Sequence, residues 1–248
     1  MEDKSREYGQ QYMTLPHDVV PLPSGGRFYK NKKKSVKVGY LTASDENILL
    51  GGAEDITSVL LRNKIYEPDM RIDDLLDGDV EAILIFLRNT SFGPEIKLTL
   101  TDPQTKKTFE TNVRIDELDI KQPKSEPSED GTFTTKLPKS GSEVVLKLLT
   151  YGETMEIQKI VDSYPQGRVA PKVTLTLQKQ ILQVDGNTDR GEIAKFVESM
   201  PIADSKYIRN FLFENEPRLD MSRVVIAPSG ERLTVNVGFG VEFFRPFF

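Results

Sequence analysis

The sequence predicts an α+β fold, with amphipathic helices packed beside short antiparallel β-hairpins in two helix–hairpin units. Three observations lead there. Val80, Ile83, Leu84 and Leu87 recur at the 3.6-residue period of a helix with one buried face. Ile96, Leu98 and Leu100 alternate with polar residues, the chain turns at Asp102-Pro103-Gln104-Thr105, and Phe109, Thr111 and Val113 alternate on the way back. Strands do not alternate regularly with long helices, so a doubly wound parallel sheet is not expected.

From the N-terminus, residues 1–21 are polar and aperiodic and read as an extended arm. Leu22-Pro23-Ser24-Gly25-Gly26-Arg27-Phe28-Tyr29 is a turn followed by two aromatics; no Gly-Lys-Ser/Thr follows, so it is not a phosphate loop. Val36, Val38 and Tyr40 have the period of a half-buried strand. Thr42 with Asp45 opens a short helix to Leu50 that stops at Gly51-Gly52, and Asp55 caps a second helix presenting Ile56, Val59 and Leu60. Asp79 is expected to cap the stronger helix that begins at Val80.

After the first hairpin, residues 119–143 are rich in proline, serine and mixed charge and read as a linker or loop region. Phe133 and the run from Val144 to Leu149 predict a further strand pair. Val173, Leu177, Ile181 and Val184 fall on one helix face that ends at Asp185-Gly186. Asp189 with Glu192 forms a capping box for Ile193, Phe196, Val197 and Met200. Asp204 caps the next helix, with Ile208, Phe211 and Leu212 on its apolar face, and Glu216-Pro217 ends it. A hairpin turning at Ala227-Pro228-Ser229-Gly230 follows. The expected division is therefore an arm over 1–21, an N-terminal α+β domain over 22–118, the 119–143 connection, and a mostly helical domain over 144–248 that closes with the hairpin and an aromatic terminus.

An internal echo accompanies this order. Leu87-Arg88-Asn89 leads into a hairpin ending at Thr111-Asn112-Val113, and Ile208-Arg209-Asn210 into one ending at Thr234-Val235-Asn236-Val237. Duplication and chance both account for that much.

Composition narrows the chemistry. The net charge is −5 with a pI near 5.2, which disfavours a general nucleic-acid binder, and the basic run Lys30, Lys32, Lys33, Lys34 is short and sits in a turn. There is no cysteine, which removes disulfides, thiolate zinc sites and cysteine nucleophiles. No apolar run approaches the ~18–20 residues of a membrane span, and Met1-Glu2-Asp3-Lys4-Ser5-Arg6 lacks the apolar core of a signal peptide. A cytoplasmic setting is expected. The one histidine, His17, lies in the polar arm, and no Gly-x-Ser-x-Gly elbow accompanies it. Asp73, Asp74, Asp77 and Asp79 suggest a calcium loop, but Leu75 and Leu84 fall where that loop needs oxygen ligands. Helix starts and a solvated turn account for these acids. No cofactor or metal is expected, and no catalytic residue stands out.

The terminus is the strongest functional signal. Phe239, Phe243, Phe244, Phe247 and Phe248 lie within the last ten residues, and each ring can bury about 150–250 Å². Such a terminus packs on its own domain or on a partner. These five residues, with Phe28 and Tyr29, are the expected partner-binding set.

Several segments taken together resemble a known family. They are Leu22-Pro23-Ser24-Gly25-Gly26; Asp73-Asp74-Leu75-Leu76-Asp77-Gly78-Asp79; Leu87-Arg88; Val184-Asp185-Gly186; Met200-Pro201-Ile202-Ala203-Asp204-Ser205-Lys206-Tyr207-Ile208-Arg209; Pro217-Arg218-Leu219-Asp220; and Phe243-Phe244-Arg245-Pro246. In this order the chain resembles the baseplate hub and hub-assembly proteins of T-even-like contractile-tailed bacteriophages, from about residue 22 onward. The resemblance implies a non-enzymatic protein that helps build the tail baseplate, as a hub subunit or as a factor readying the hub or the tape-measure protein. Its implied partners are other hub or tape-measure proteins, with neither nucleic acid nor membrane, and the oligomeric state stays open. Its implied location is the host cytoplasm during assembly and the virion baseplate. The resemblance implies Cys-x-x-Cys knuckles at the hairpin turns of many relatives, where this chain has Asp102-Pro103-Gln104-Thr105 and Ala227-Pro228-Ser229-Gly230. A cell-wall hydrolase of the hub, needing two acids converging in a cleft, and an adaptor unrelated to phage are the alternatives.

Overall fold

The computed structural model describes residues 16–50, 56–238 and 243. Among them are seven α-helices and five small antiparallel sheets, the α+β architecture expected.

β1 (His17–Pro21) pairs with β2 (Ser35–Gly39), placing Val20 opposite Val36. The end of the stretch read as an arm is thus a strand, and its Val20 is buried. Residues 64–66 extend this sheet: Gly39 N–H donates to the Lys64 carbonyl at 2.8 Å, Tyr66 N–H donates to Lys37, and Ile65 bridges to Val38. α1 (Ala43–Leu50) starts where expected, with Thr42 N–H and Oγ1 both donating to the Asp45 carboxylate. The Gly51-Gly52 stop and the Asp55 cap lie outside the described residues. α2 (Ile56–Arg62) buries Leu60 and Leu61. A single 3₁₀ turn (Ile72–Asp74) leads into α3 (Asp77–Phe92), whose Val80, Ile83, Leu84 and Leu87 are buried as their period requires. Each such side chain contributes about 1.5–3 kcal/mol of apolar transfer.

β3 (Glu95–Thr101) and β4 (Thr108–Arg114) form the expected hairpin, with Leu98 opposite Thr111. Within 119–143, β5 (Ile120–Lys121) pairs with β9 (Arg218–Leu219), and β6 (Thr132–Lys136) pairs with β7 (Glu143–Lys147), the strand pair read from Phe133 and Val144. α4 (Tyr151–Asp162) begins at a capping box: Thr150 Oγ1 accepts Glu153 N–H, and the Glu153 carboxylate accepts Thr150 N–H.

α5 (Lys172–Gln180) is shorter than its apolar pattern suggests. Ile181 and Val184 leave the helix and form β8 (Ile181–Val184), the third strand beside β7, with Ile181 opposite Leu146. The competing edge of β7 wins over helix periodicity there, and Val173 is left 46% exposed. α6 (Arg190–Ser199) has Asp189 accepting Glu192 N–H, but the Glu192 carboxylate pairs with Lys195, so only half of the expected capping box forms. α7 (Ile202–Asn215) ends at Glu216 as read, and β10 (Ser222–Ile226) pairs with β11 (Arg232–Asn236) in the closing hairpin.

Two expected caps do something else. α3 and α7 start two residues before Asp79 and Asp204, and neither aspartate is the N-cap. Both carboxylates are buried and turned outward to a distant backbone turn: Asp79 accepts Ser24 N–H at 2.9 Å, and Asp204 accepts Lys139 N–H at 2.7 Å and Ser140 N–H at 2.8 Å. A buried carboxylate is retained where N–H donors replace its lost water.

One continuous core joins both halves of the chain, drawing Val36, Val38, Leu61 and Ile83 together with Val144, Leu146, Ile181 and Ile208. The halves also meet through backbone. Tyr151 N–H donates to Leu75 O at 2.7 Å, and Leu76 bridges to Thr150. Gly78 lies so close under β9 that a Cβ there would stand 2.3 Å from the Pro217 carbonyl oxygen.

Candidate functional site

The described residues contain an aromatic seam, a joint between two hairpin tips and a cluster of carboxylates. The seam runs across the middle of the molecule. Phe28 packs on Phe133 with ring centroids 5.9 Å apart, Phe133 meets Phe211 edge-on at 5.7 Å, and Phe211 stacks on Tyr207 at 6.1 Å. These are the offset and edge geometries that aromatic pairs favour. The Tyr207 hydroxyl closes the end of the seam against Thr135 Oγ1 at 2.8 Å.

Of the residues expected to bind partners, the structure places Phe28 half-buried in this seam and Tyr29 in the core. The Tyr29 hydroxyl donates to the Asp79 carboxylate and accepts Leu76 N–H at 2.9 Å, so both its hydrogen-bonding directions are used internally. Burial, with the neighbouring Asp79 charge, pushes the Tyr29 hydroxyl far above its ordinary range, and it stays a donor. Phe243 is 2% exposed and belongs to the core cluster. Phe239, Phe244, Phe247 and Phe248 lie outside the described residues. The structure therefore brings Phe28 to Phe133 and, through it, to Phe211, two rings the sequence reading placed on a strand and a helix face but not in the partner-binding set.

The hairpin tips meet at Asp102 and Ser229. Asp102 Oδ1 accepts the N–H groups of Gln104 and Thr105, while Oδ2 accepts Ser229 N–H at 3.0 Å. Burial alone would raise this carboxyl, but the backbone donors of Thr105, Gln104 and Ser229 outweigh it and hold it below the usual carboxylate range. Below the tips Arg223 reaches across to the carbonyls of Arg114 and Glu117. The turns where relatives were expected to carry cysteine knuckles are thus side by side, tied by one carboxylate. Ile96, Leu98, Leu100 and Phe109 on the first hairpin are only half-buried, and Val224 and Ile226 on the second are 55% and 69% exposed.

The carboxylate cluster lies where α3 meets β9. Burial, then the charge of Asp77, pushes Glu216 up to about 7 against the pull of Arg218. Glu81 is raised by burial and by Asp77, and Asp77 by burial, although its Oδ2 accepts the Thr154 hydroxyl at 2.9 Å. Arg218 answers this group while stacking on the Phe213 ring at 3.6 Å. The sequence carried no signal for this convergence, because Glu216 and Asp77 are far apart in the chain. The aspartates at 73 and 74 do not join it: both carboxylates pair with Arg71. Among the described residues no three His, Cys, Asp or Glu side chains are placed to hold a metal ion. The cavities of about 600, 360 and 720 Å³ are lined by other residues than this cluster. No described helix is long and apolar enough to cross a membrane.

The site is therefore one of packing and backbone recognition, in which carboxylates hold turns in place. A family model described as T4 bacteriophage base plate protein matches residues 19–244, and the chain belongs to that family. No curated protein and no solved structure matches.

Proposed function

We propose that this member of the base plate family is a non-enzymatic component or assembly factor of the baseplate hub, acting through contacts with other hub or tape-measure proteins. The observation that carries this reading is the family match over 19–244, which takes in both helix–hairpin units and the joint between their tips. The half-buried hairpin faces support it, because apolar surface left beside a firmly tied joint suits a partner that completes its burial. The chain works in the host cytoplasm while tails assemble and, in the case of a hub subunit, in the baseplate of the finished virion.

The C-terminal rings supply the docking residues in this reading. Phe243 anchors the segment in the core, and Phe244, Phe247 and Phe248, with Phe239, contact the partner. A few central apolar anchors of this kind carry most of the energy of an interface.

Two measurements test the proposal. Quantitative mass spectrometry of purified virions and of tail intermediates reads where the chain resides. A fixed stoichiometry in virions makes it a hub subunit, presence in intermediates alone makes it an assembly factor, and absence from both removes the reading. Deleting residues 244–248 while keeping Phe243 is expected to leave a folded chain that no longer supports tail assembly. Normal tails from that truncation would refute the assigned docking residues.

A further inference from the structure

The two halves of the described chain repeat one construction in the same order, apart from the first turn, the segment before the Asp79 and Asp204 helices, and β9. Each opens with a hairpin, β1–β2 or β6–β7. In each the turn starts at a buried leucine that donates its N–H across the hairpin, Leu22 to Lys34 O and Leu137 to Ser142 O, both at 2.9 Å. The second strands carry fully buried Val36 and Val38 in one half, Val144 and Leu146 in the other. Each strand then enters a helix through a threonine whose N–H is held by an acid three residues on: Thr42 by Asp45, Thr150 by Glu153. Leu49 and Ile157, the same distance beyond those threonines, are both buried.

The correspondence continues through the third strand. Leu61 and Leu177 are buried on the next helices. Ile65 and Ile181 follow each by four residues. Ile65 lies opposite Val38, and Ile181 opposite Leu146. Next come the helices of Asp79 and Asp204. Ser24 and Lys139, whose N–H groups these carboxylates accept, each stand two residues after the turn leucine. Along the helices Ile83, Phe86 and Leu87 fall at the same steps from Asp79 as Ile208, Phe211 and Leu212 from Asp204. Each helix ends in a hairpin closed by a matching turn bond, Asp102 N–H to Lys107 O and Ala227 N–H to Glu231 O. Val113 and Val237, each six residues past those acceptors, are buried at 6% and 5% exposure.

We infer that the chain is a tandem duplication of one unit, residues 17–114 and 132–237, each latched by a single buried aspartate. Two unrelated helix–hairpin units share a period, but they have no reason to share the donor position of the turn, the acid at the helix start and the residue that bridges the third strand. The echo visible in the sequence is out of step with this repeat: Leu87 matches Leu212, not Ile208. Arg88 is buried and donates to the carbonyls of Gly93 and Glu95, whereas Arg209 is exposed.

The duplication also explains where the units differ. The first has a longer turn, and the extra segment brings Phe28 onto Phe133 of the second unit and Tyr29 onto its own latch, Asp79. The second replaces the 3₁₀ turn of the first with the full helix α6. Each addition to the common plan marks a specialisation of one copy, and in the first copy it clasps the two units together.

Two experiments on the full chain test this, and neither uses the phage, so the outcome stands apart from the hub reading. In an experimental structure, one rotation should superpose the paired residues above with strand order, helix direction and hand preserved. Hairpins that superpose while the Asp79 and Asp204 helices run in different directions would overturn the duplication. In hydrogen exchange, Asp79→Asn should raise exchange at Ser24 and along α3, and Asp204→Asn at Lys139, Ser140 and along α7, by about tenfold or more for charge-assisted bonds. The same exchange pattern from both substitutions, or no change at the turns, would overturn the equivalence of the latches. If a variant does not fold, the superposition decides alone.

Discussion

The carboxylate of Asp102 accepts the backbone N–H of Ser229 at 3.0 Å across 127 residues of chain, and so ties the turn of the first hairpin to that of the second. Asp102 also closes its own turn through Gln104 and Thr105. One side chain therefore holds three amides in two hairpins.

Asp102→Ala is expected to loosen both tips while leaving the helices folded. Hydrogen exchange should speed up at Gln104, Thr105 and Ser229 together, because all three lose the same acceptor. Adding zinc should not restore protection, since the chain has no cysteine. Unchanged exchange at Ser229 would mean that the hairpins are held together by Arg223 and apolar contact alone.

Glu216 gives the molecule a pH dependence of unusual sign for a carboxylate. Its folded value of about 7 lies above the ordinary 4.5, so the folded state binds its proton more tightly than the unfolded state. The stability this contributes is fully present below about pH 4.5 and is lost as pH rises through about 7. Asp77, Glu81 and Asp79 add to the repulsion above that point and Arg218 relieves it. Glu216→Gln should therefore raise the melting temperature at pH 8 and flatten its fall between pH 5 and 8. The check is the difference between variant and parent, since Asp45 and Asp204, both held low, lose stability in acid and mask the effect in the parent alone. A variant that follows the parent's pH curve would show that Glu216 is not protonated in the fold.

The elements legible in the sequence are those whose stabilising contacts are local or periodic. The α3 stripe, the β3–β4 alternation and the turn at Pro228 carry their own signal. Asp79 and Asp204 do not, because an aspartate near a helix start looks the same whether it caps that helix or holds a turn elsewhere. What distinguishes them is burial: a cap is normally solvated, while these carboxylates are surrounded. Ile181 and Val184 continue the apolar spacing of α5, yet the open edge of β7 claims them as a strand, a choice that depends on a neighbour far back in the chain. The Glu216 cluster was invisible for the same reason.

Gly78→Ala tests how closely the two units are pressed together. In the first turn of α3 alanine improves helix propensity by about 1 kcal/mol over glycine. Its Cβ, however, would lie 2.3 Å from the Pro217 carbonyl oxygen and 3.0 Å from the Arg218 Cβ. The nearest atom is backbone, so β9 itself has to shift, and such overpacking costs roughly 1–3 kcal/mol. The net effect is expected to be destabilising, with exchange rising at the Lys121 and Arg218 ribbon. A variant more stable than the parent would show that β9 gives way freely.

Tyr29→Phe separates the hydroxyl from the ring. The ring keeps its place in the core, but Asp79 loses a donor and Leu76 N–H loses its acceptor. A buried polar group left without a partner costs about 1–3 kcal/mol, and two groups are affected here. Denaturant melts should show a lower midpoint with an unchanged slope, the signature of lost stability without a change in the surface exposed. The loss should also be larger than that of Asp79→Asn, in which the Tyr29 hydroxyl still accepts Leu76 N–H. A neutral Tyr29→Phe variant would mean that water replaces the hydroxyl, and the added turn of the first unit would then act through Phe28 alone.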